Sequence, residues 1–304
     1  MTAPGGPRAD RALTPNLFVI GASKSGSTAL NRYLGAHPEI HMSPVKEPCF
    51  FVDQRELEAA WPIMARNPAS HDWDAYLALF RGGEGAAYRG EASVYYSQSP
   101  HRSGVAARIA RASPEARILY IVREPVSRAI AHYWQRAKEF QDPLPLDEAI
   151  RAHAIYRDTS DYAMQLGEYL KVFDRDRIRV VVAEELRAAR RETLAGIFAW
   201  LGLAPFEHPE EALADVHVSS ALSRRARFGF VRAARDSAAW AAARRALPEA
   251  AVDRLRRLAT TPLEKRAVDD RAARAFLRAY FAERTPAFEA MIGRRLDLWR
   301  ERAG

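Results

Sequence analysis

Lys24, Ser25, Ser27 and Thr28 crowd a short turn bracketed by Gly21 and Gly26, directly after the apolar run Leu17-Phe18-Val19-Ile20. One cation and three hydroxyls in such a turn suit the binding of a phosphate. The apolar run predicts a short buried strand, and a helical pattern opens at Ser27. A strand that empties through glycine into a helix aims backbone N–H groups and the positive helix end at one point. The residue order is not that of the nucleoside-triphosphate loop, in which the lysine follows the last glycine and precedes Ser or Thr. Here Lys24 comes two residues before Gly26.

The elements that position this turn alternate in type. The first helix is expected over about residues 27–36, ending at His37-Pro38, and a short strand over 40–42. Residues 53–82 carry a helical pattern with Trp61, Trp73, Tyr76 and Phe80 as core anchors, and residues 90–93 read as a turn before a helix near 100–112. Arg117 to Val122 is the clearest central strand, an almost unbroken apolar run. Pro125 then stands where a first helical turn would begin, and that helix should reach about residue 140. A helix over 162–173, a third good strand over 178–182 and a helix over 192–201 ended by Gly202 follow. From Arg224 onward the pattern is helical or loop. Strands alternating with helices predict an α/β fold with a parallel sheet covered on both faces. Ligands of such sheets sit beyond the carboxyl ends of the strands, where the Lys24 turn and Arg123 both lie.

A chain of 304 residues can bury a full core. Its composition, 48% apolar and 28% charged, is that of a globular protein, and no apolar run approaches a membrane span. Residues 1–15 are rich in Pro, Gly and Arg without an apolar core; they are expected to be a disordered extension and not a secretory signal, followed by one domain over 16–304. A single cysteine, Cys49, excludes an internal disulfide and points to a reducing, cytoplasmic setting. The net charge of +8 sits largely on C-terminal arginines interleaved with Ala and Asp, which fits a solvated helical face or a basic rim for an anionic ligand. No nucleic-acid recognition module is present, and no Cys, His or carboxylate cluster has metal-ligand spacing. Neither nucleic acid, metal nor membrane insertion is therefore expected.

From the Lys24 turn onward the chain resembles the sulfotransferases that use 3′-phosphoadenosine 5′-phosphosulfate (PAPS), over about residues 16–230. In that family the inverted lysine turn holds the 5′-phosphate, which implies that role for Lys24, Ser25, Gly26, Ser27 and Thr28. The segment Val122-Arg123-Glu124-Pro125-Val126-Ser127-Arg128 resembles the one that holds the 3′-phosphate, and Arg123 matches its arginine. The family's serine eight residues later is Ala131 here. Ser127, four residues before Ala131 and so on the same face of a helix, is expected to take its place, helped by Arg128. His132 beside it reads as a helix-surface histidine. Lys46-Glu47-Pro48-Cys49-Phe50-Phe51 is similar to a segment of the carbohydrate, heparan-sulfate-type branch. There the glutamate is the general base, so the resemblance implies that Glu47 takes the proton of the acceptor hydroxyl. Cys49 beside two phenylalanines reads as packing.

The stretch from Gly90 to Tyr96 resembles a turn that borders the family's acceptor cleft, with Val94 in place of the usual proline. This implies acceptor contacts for Lys46, Glu91, Ser93 and Tyr95, with a buried structural role open for Glu91. A basic closing loop is expected at residues 217–225, Arg225 being assigned to the nucleotide with the choice among arginines left open. The implied fold is a three-layer, P-loop-like α/β domain with a helical C-terminal part. The implied reaction is in-line transfer of the sulfuryl group from PAPS to a hydroxyl of a sugar, glycolipid or other small molecule, without a metal. A P-loop small-molecule kinase and a non-catalytic nucleotide- or polyanion-binding protein are the alternatives. The sequence leaves the acceptor, the sulfated position and the oligomeric state open.

Overall fold

The computed structural model describes residues 12–139, 141–213, 222–226, 237, 240, 244, 247–264 and 268–301. They fall into two compact units, each described by itself. The first comprises residues up to Pro125 together with 158–216 and 282–304; the second comprises 126–157 and 217–281.

The first unit is built on five strands: β1 (Leu17–Val19), β2 (Ile40–Met42), β3 (Tyr88–Ala92), β4 (Arg117–Val122) and β5 (Ile178–Val182). All pair in parallel, in the order β2-β3-β1-β4-β5. Their side chains alternate between two cores, as a strand period of two requires. Phe18, Ile118, Tyr120 and Val122 enter one core, with residues of helices over Val105–Ala112 (α2) and Tyr162–Leu170 (α4). Leu17, Val19, Leu119 and Ile121 enter the other, with residues of α1 (Ser27–Gly35) and α5 (Arg190–Leu201). This is the expected sheet with helices on both faces. Burial of β1 and β4 on both faces explains why they read as continuous apolar runs.

Registers gather the strand exits at one sheet end. Val19 is level with both Ala92 and Leu119, and Met42 with Gly90. Backbone bonds extend the pairing into the loops: Ser93 N–H donates to Val19 O at 3.0 Å, and Ile121 N–H to Gly21 O at 2.7 Å. The turns after β1, β2, β3 and β4 are therefore neighbours.

Two expectations change. Residues 90–92, read as a turn, are the end of β3. The pattern over 53–82 is broken into helices at 54–60, 62–65 and 73–77 with two 3₁₀ turns, because Trp61-Pro62 and Asn67-Pro68 interrupt it. Thr14, inside the expected extension, accepts from Arg89 Nε at 3.2 Å, while residues 1–11 lie outside the described chain.

The second unit packs the helix from Pro125 to Lys138 (α3) with one over Arg271–Phe281. Val126, Ile130, Tyr133 and Trp134 share a core with Leu277 and Phe281. The C-terminal part is not wholly helical: β6 (Leu222–Ala226) and β7 (Thr260–Glu264) form an antiparallel pair, Arg225 opposite Thr261. Arg128, expected to help Ser127 at the phosphate, is fully buried, donating to Tyr156 O at 2.6 Å and bonded to His132 Nδ1 at 3.1 Å. His132 is likewise buried, its ring edge-on to Tyr156. Among the described residues no helix is long and apolar enough to cross a membrane.

Candidate active site

The Lys24 turn leaves β1 through backbone that few residues adopt. Gly21 has φ 122° and Gly26 φ 100°; Lys24 itself is left-handed at φ 68°. A Cβ on Gly21 would stand 2.3 Å from Ser97 Oγ, so the turn is closed to any side chain there. Gly26 is the N-cap of α1 and offers no side chain to accept from the first helical turn, which leaves that positive end directed at the loop. Lys24 is exposed, Thr28 half-buried, and Ser25 and Ser27 are buried. Ser25 is 2% exposed, yet its Oγ has no protein hydrogen-bond partner. A buried hydroxyl without a partner costs about 1–3 kcal/mol. In a loop of this shape that observation fits an anion that would accept from it, so these residues suit a phosphate group.

Arg123 leaves the end of β4 and is half-buried. Burial lowers its pKa and the charge of Glu184 works in the opposite direction; arginine nonetheless stays a cation. Its Nη1 donates to Lys24 O at 3.4 Å. Tyr162 holds the turn from beneath: its hydroxyl donates to Arg123 O at 2.6 Å and accepts from Arg123 N–H at 3.4 Å. Glu184, in the short helix Ala183–Ala188 that follows β5, accepts from Glu124 N–H at 3.1 Å and from Trp299 Nε1 at 3.1 Å. Neither Tyr162 nor Glu184 is among the residues that the sequence assigns to the site.

The loop after β2 carries Glu47 at φ 62° and Cys49 at φ 58°, both left-handed. Glu47 is fastened at two points. Its N–H donates to Ala92 O at 3.0 Å, and its Oε2 accepts from Val94 N–H at 2.7 Å. Its other oxygen pairs with Lys46. Both side chains keep part of their surface in solvent, so Glu47 is available to a ligand. Cys49 is fully buried, and burial raises its thiol pKa well above the ordinary value, as packing without reactivity requires.

Glu91 and Ser93, expected to touch an acceptor, are fully buried. Glu91 accepts from Tyr76 Oη at 2.5 Å, Tyr96 Oη at 2.7 Å and Ser93 Oγ at 2.6 Å. Their polar groups are consumed by one another, which corrects the acceptor-contact reading in favour of an inward role. Burial lifts the Glu91 carboxyl to about 7, with the three hydroxyls opposing the rise and Glu47 adding to it. Tyr95 is half-buried and stacks on Trp61 at 5.9 Å, with Arg102 over its ring. Ser127 lies in the first turn of α3 and Arg225 on β6, both in the second unit. The stretch 214–221, which contains most of the expected closing loop, lies outside the described residues.

The sulfotransferase family model matches residues 15–208, and the chain belongs to that family. Human carbohydrate sulfotransferase 15 is 23% identical over 256 residues, covering 66% of this chain and 46% of that protein. Human heparan sulfate glucosamine 3-O-sulfotransferase 3B1 is 29% identical over 160 residues, covering 52% of this chain and 36% of that one. The chain thus spans less than half the length of these curated relatives. Among solved structures, a sulfotransferase from Alicyclobacillus acidocaldarius superposes with a TM-score of 0.63 at 26% identity, covering 94% of this chain and 98% of its own.

Proposed function

We propose that the protein transfers the sulfuryl group of PAPS to a hydroxyl of a carbohydrate or other small molecule. The observation that carries this reading is the meeting of Arg123 with the Lys24 turn, which puts a second cation beside the loop that holds the unpartnered Ser25 hydroxyl. PAPS, when bound, supplies the sulfuryl group and leaves as the 3′,5′-diphosphate. Ser25, Ser27 and Thr28, with the backbone at Gly26, hold the 5′-phosphate. Lys24 stabilises negative charge as it develops on the bridging oxygen. Arg123 holds the 3′-phosphate. Glu47 removes the acceptor proton as the S–O bond forms, while Lys46 orients the carboxylate. Tyr95 and Trp61 offer an aromatic wall for the acceptor. Positioning and fixed charges supply most of the rate.

This assignment takes residues 16–304 as one functional domain, cytoplasmic and acting without a metal. Calorimetry separates it from its rivals. Preference for the 3′,5′-diphosphate over ADP and ATP supports it; tightest binding of ATP, dependent on magnesium, favours a kinase. Transfer from labelled PAPS to a panel of sugar hydroxyls then separates an enzyme from a binding protein.

A further inference from the structure

We propose that ionised Glu91 is the positioning residue for Glu47: through the hydroxyls of Ser93 and Tyr96 it fixes the backbone at Cys49 and Phe51, and so the loop that carries the base. The inference rests on Glu47 being that base. Glu91 itself touches neither ligand nor reacting atoms.

The wiring is directional. Ser93 Oγ donates to Glu91 Oε2 and accepts from Cys49 N–H at 3.2 Å. Tyr96 Oη donates to Glu91 Oε1 and accepts from Phe51 N–H at 3.3 Å. Tyr76 spends a third hydroxyl hydrogen on the same carboxylate. An ionised carboxylate only accepts, so it fixes the hydrogens of all three hydroxyls and turns the lone pairs of two of them toward the loop. A protonated Glu91 adds a hydrogen that one of these hydroxyl oxygens must take up. That hydroxyl then has to turn its own hydrogen away from Glu91, inside a site closed to water. Two relays thus end on the residues immediately after Glu47, whose left-handed backbone needs outside support.

The charged state is the one that burial resists. Glu91 titrates near 7, raised mainly by burial. The groups that face it are Tyr76, Ser93, Tyr96, Cys49, Glu47 and Tyr169, with Lys46 paired to Glu47 and Arg108 near Tyr96 and Tyr169. The neighbouring Glu47 charge raises the value, and among the described residues no cation bonds to Glu91. Protonation of Glu91 as pH falls through neutrality is expected to slacken the Glu47 loop.

Hydrogen exchange on the full chain tests this directly. Normalised for intrinsic rates, the protection of the Cys49 and Phe51 amides should rise about tenfold between about pH 6 and about pH 8, a unit either side of the titration, which is the size of one hydrogen bond. In Glu91→Gln the step should vanish and protection should stay at its low-pH level, because the amide cannot accept on both sides. Tyr96→Phe removes one oxygen and guards against misfolding of the first variant: only the Phe51 amide should lose protection. Protection that ignores both pH and Glu91→Gln, or a Phe51 amide unaffected by Tyr96→Phe, overturns the relay. Unchanged transfer from labelled PAPS in Glu47→Gln fails differently, leaving the exchange behaviour intact while removing the base that the relay is said to serve.

Discussion

The Arg123 guanidinium donates to the Lys24 carbonyl at 3.4 Å, joining the turns that follow β4 and β1. The two turns are therefore joined, and under the proposed assignment nucleotide selectivity should depend on that bond. Arg123→Ala should reduce the preference for the 3′,5′-diphosphate over adenosine 5′-phosphate by roughly 10- to 100-fold, since a charge-assisted contact contributes about 1.5–3 kcal/mol. Calorimetry with both nucleotides measures it. Equal losses for both would show that Arg123 acts on the Lys24 turn alone.

Glu47→Gln keeps the shape of the side chain and removes its basicity. Turnover should fall by about 10²–10⁴, the usual contribution of a general base. Affinity for the diphosphate, measured on the same sample, should stay near wild type, since the backbone bond from Glu47 to Ala92 survives the change. A parallel loss of nucleotide affinity would mean that the loop, and not the proton transfer, has been damaged.

Gly21 and Gly26 should respond differently to alanine. At Gly21 the new Cβ meets Ser97 Oγ at 2.3 Å and Val94 O at 3.3 Å, besides requiring a positive φ. At Gly26 the Cβ meets Ile121 Cδ1 at 3.7 Å, an ordinary contact, so strain from φ 100° is the main cost. Strained backbone of this kind costs about 1–3 kcal/mol. Denaturant unfolding should place Gly21→Ala below Gly26→Ala in stability, while Gly26→Ala should lose more nucleotide affinity than its stability loss accounts for.

Glu91 also makes stability depend on pH, with a definite sign. Its carboxyl is raised from the ordinary value of 4.5 to about 7, so between these values the folded chain holds a proton that the unfolded chain has released. Stability from this group therefore falls as pH rises through that window, by a total on the order of 3 kcal/mol, and is flat above it. Glu91→Gln should remove this slope in unfolding measured from about pH 4.5 to pH 8. The ionised form that steadies the Glu47 loop is thus the form that weakens the fold.

The Lys24 turn was legible because its information is local: glycines, lysine and hydroxyls follow a strand within one short stretch, and the β1 and β4 runs announce burial on both faces. β3 was hidden because Gly90 breaks its pattern. Met42 Sδ fills the place where a Cβ would stand, 2.5 Å away, so glycine is a packing requirement there and not a turn signal. β6 and β7 were hidden by arginines and by Pro262, which pairs with Arg224. The burial of Glu91 and Ser93 is a tertiary fact: the hydroxyls come from residues 76, 93 and 96, and the backbone it serves, at Cys49 and Phe51, lies in another loop of the sheet end. No periodicity encodes such a meeting.

The last prediction concerns the support of Arg123. Tyr162 grips both the N–H and the carbonyl of Arg123, and Glu184 holds the next amide while bonding Trp299. These residues touch the backbone that aims the guanidinium and leave the Lys24 turn to its own glycines. Tyr162→Phe removes one oxygen and keeps the ring against Tyr120, Phe288 and Trp299. It should therefore weaken the 3′,5′-diphosphate by about tenfold, the scale of one strong hydrogen bond, with little effect on adenosine 5′-phosphate. Glu184→Gln retains one acceptor and should lose less. The decisive measurement is the ratio of the two affinities in each variant, set beside unfolding stability. A general loosening of the unit would lower both affinities together, whereas misdirection of Arg123 changes the ratio and leaves the monophosphate bound as before.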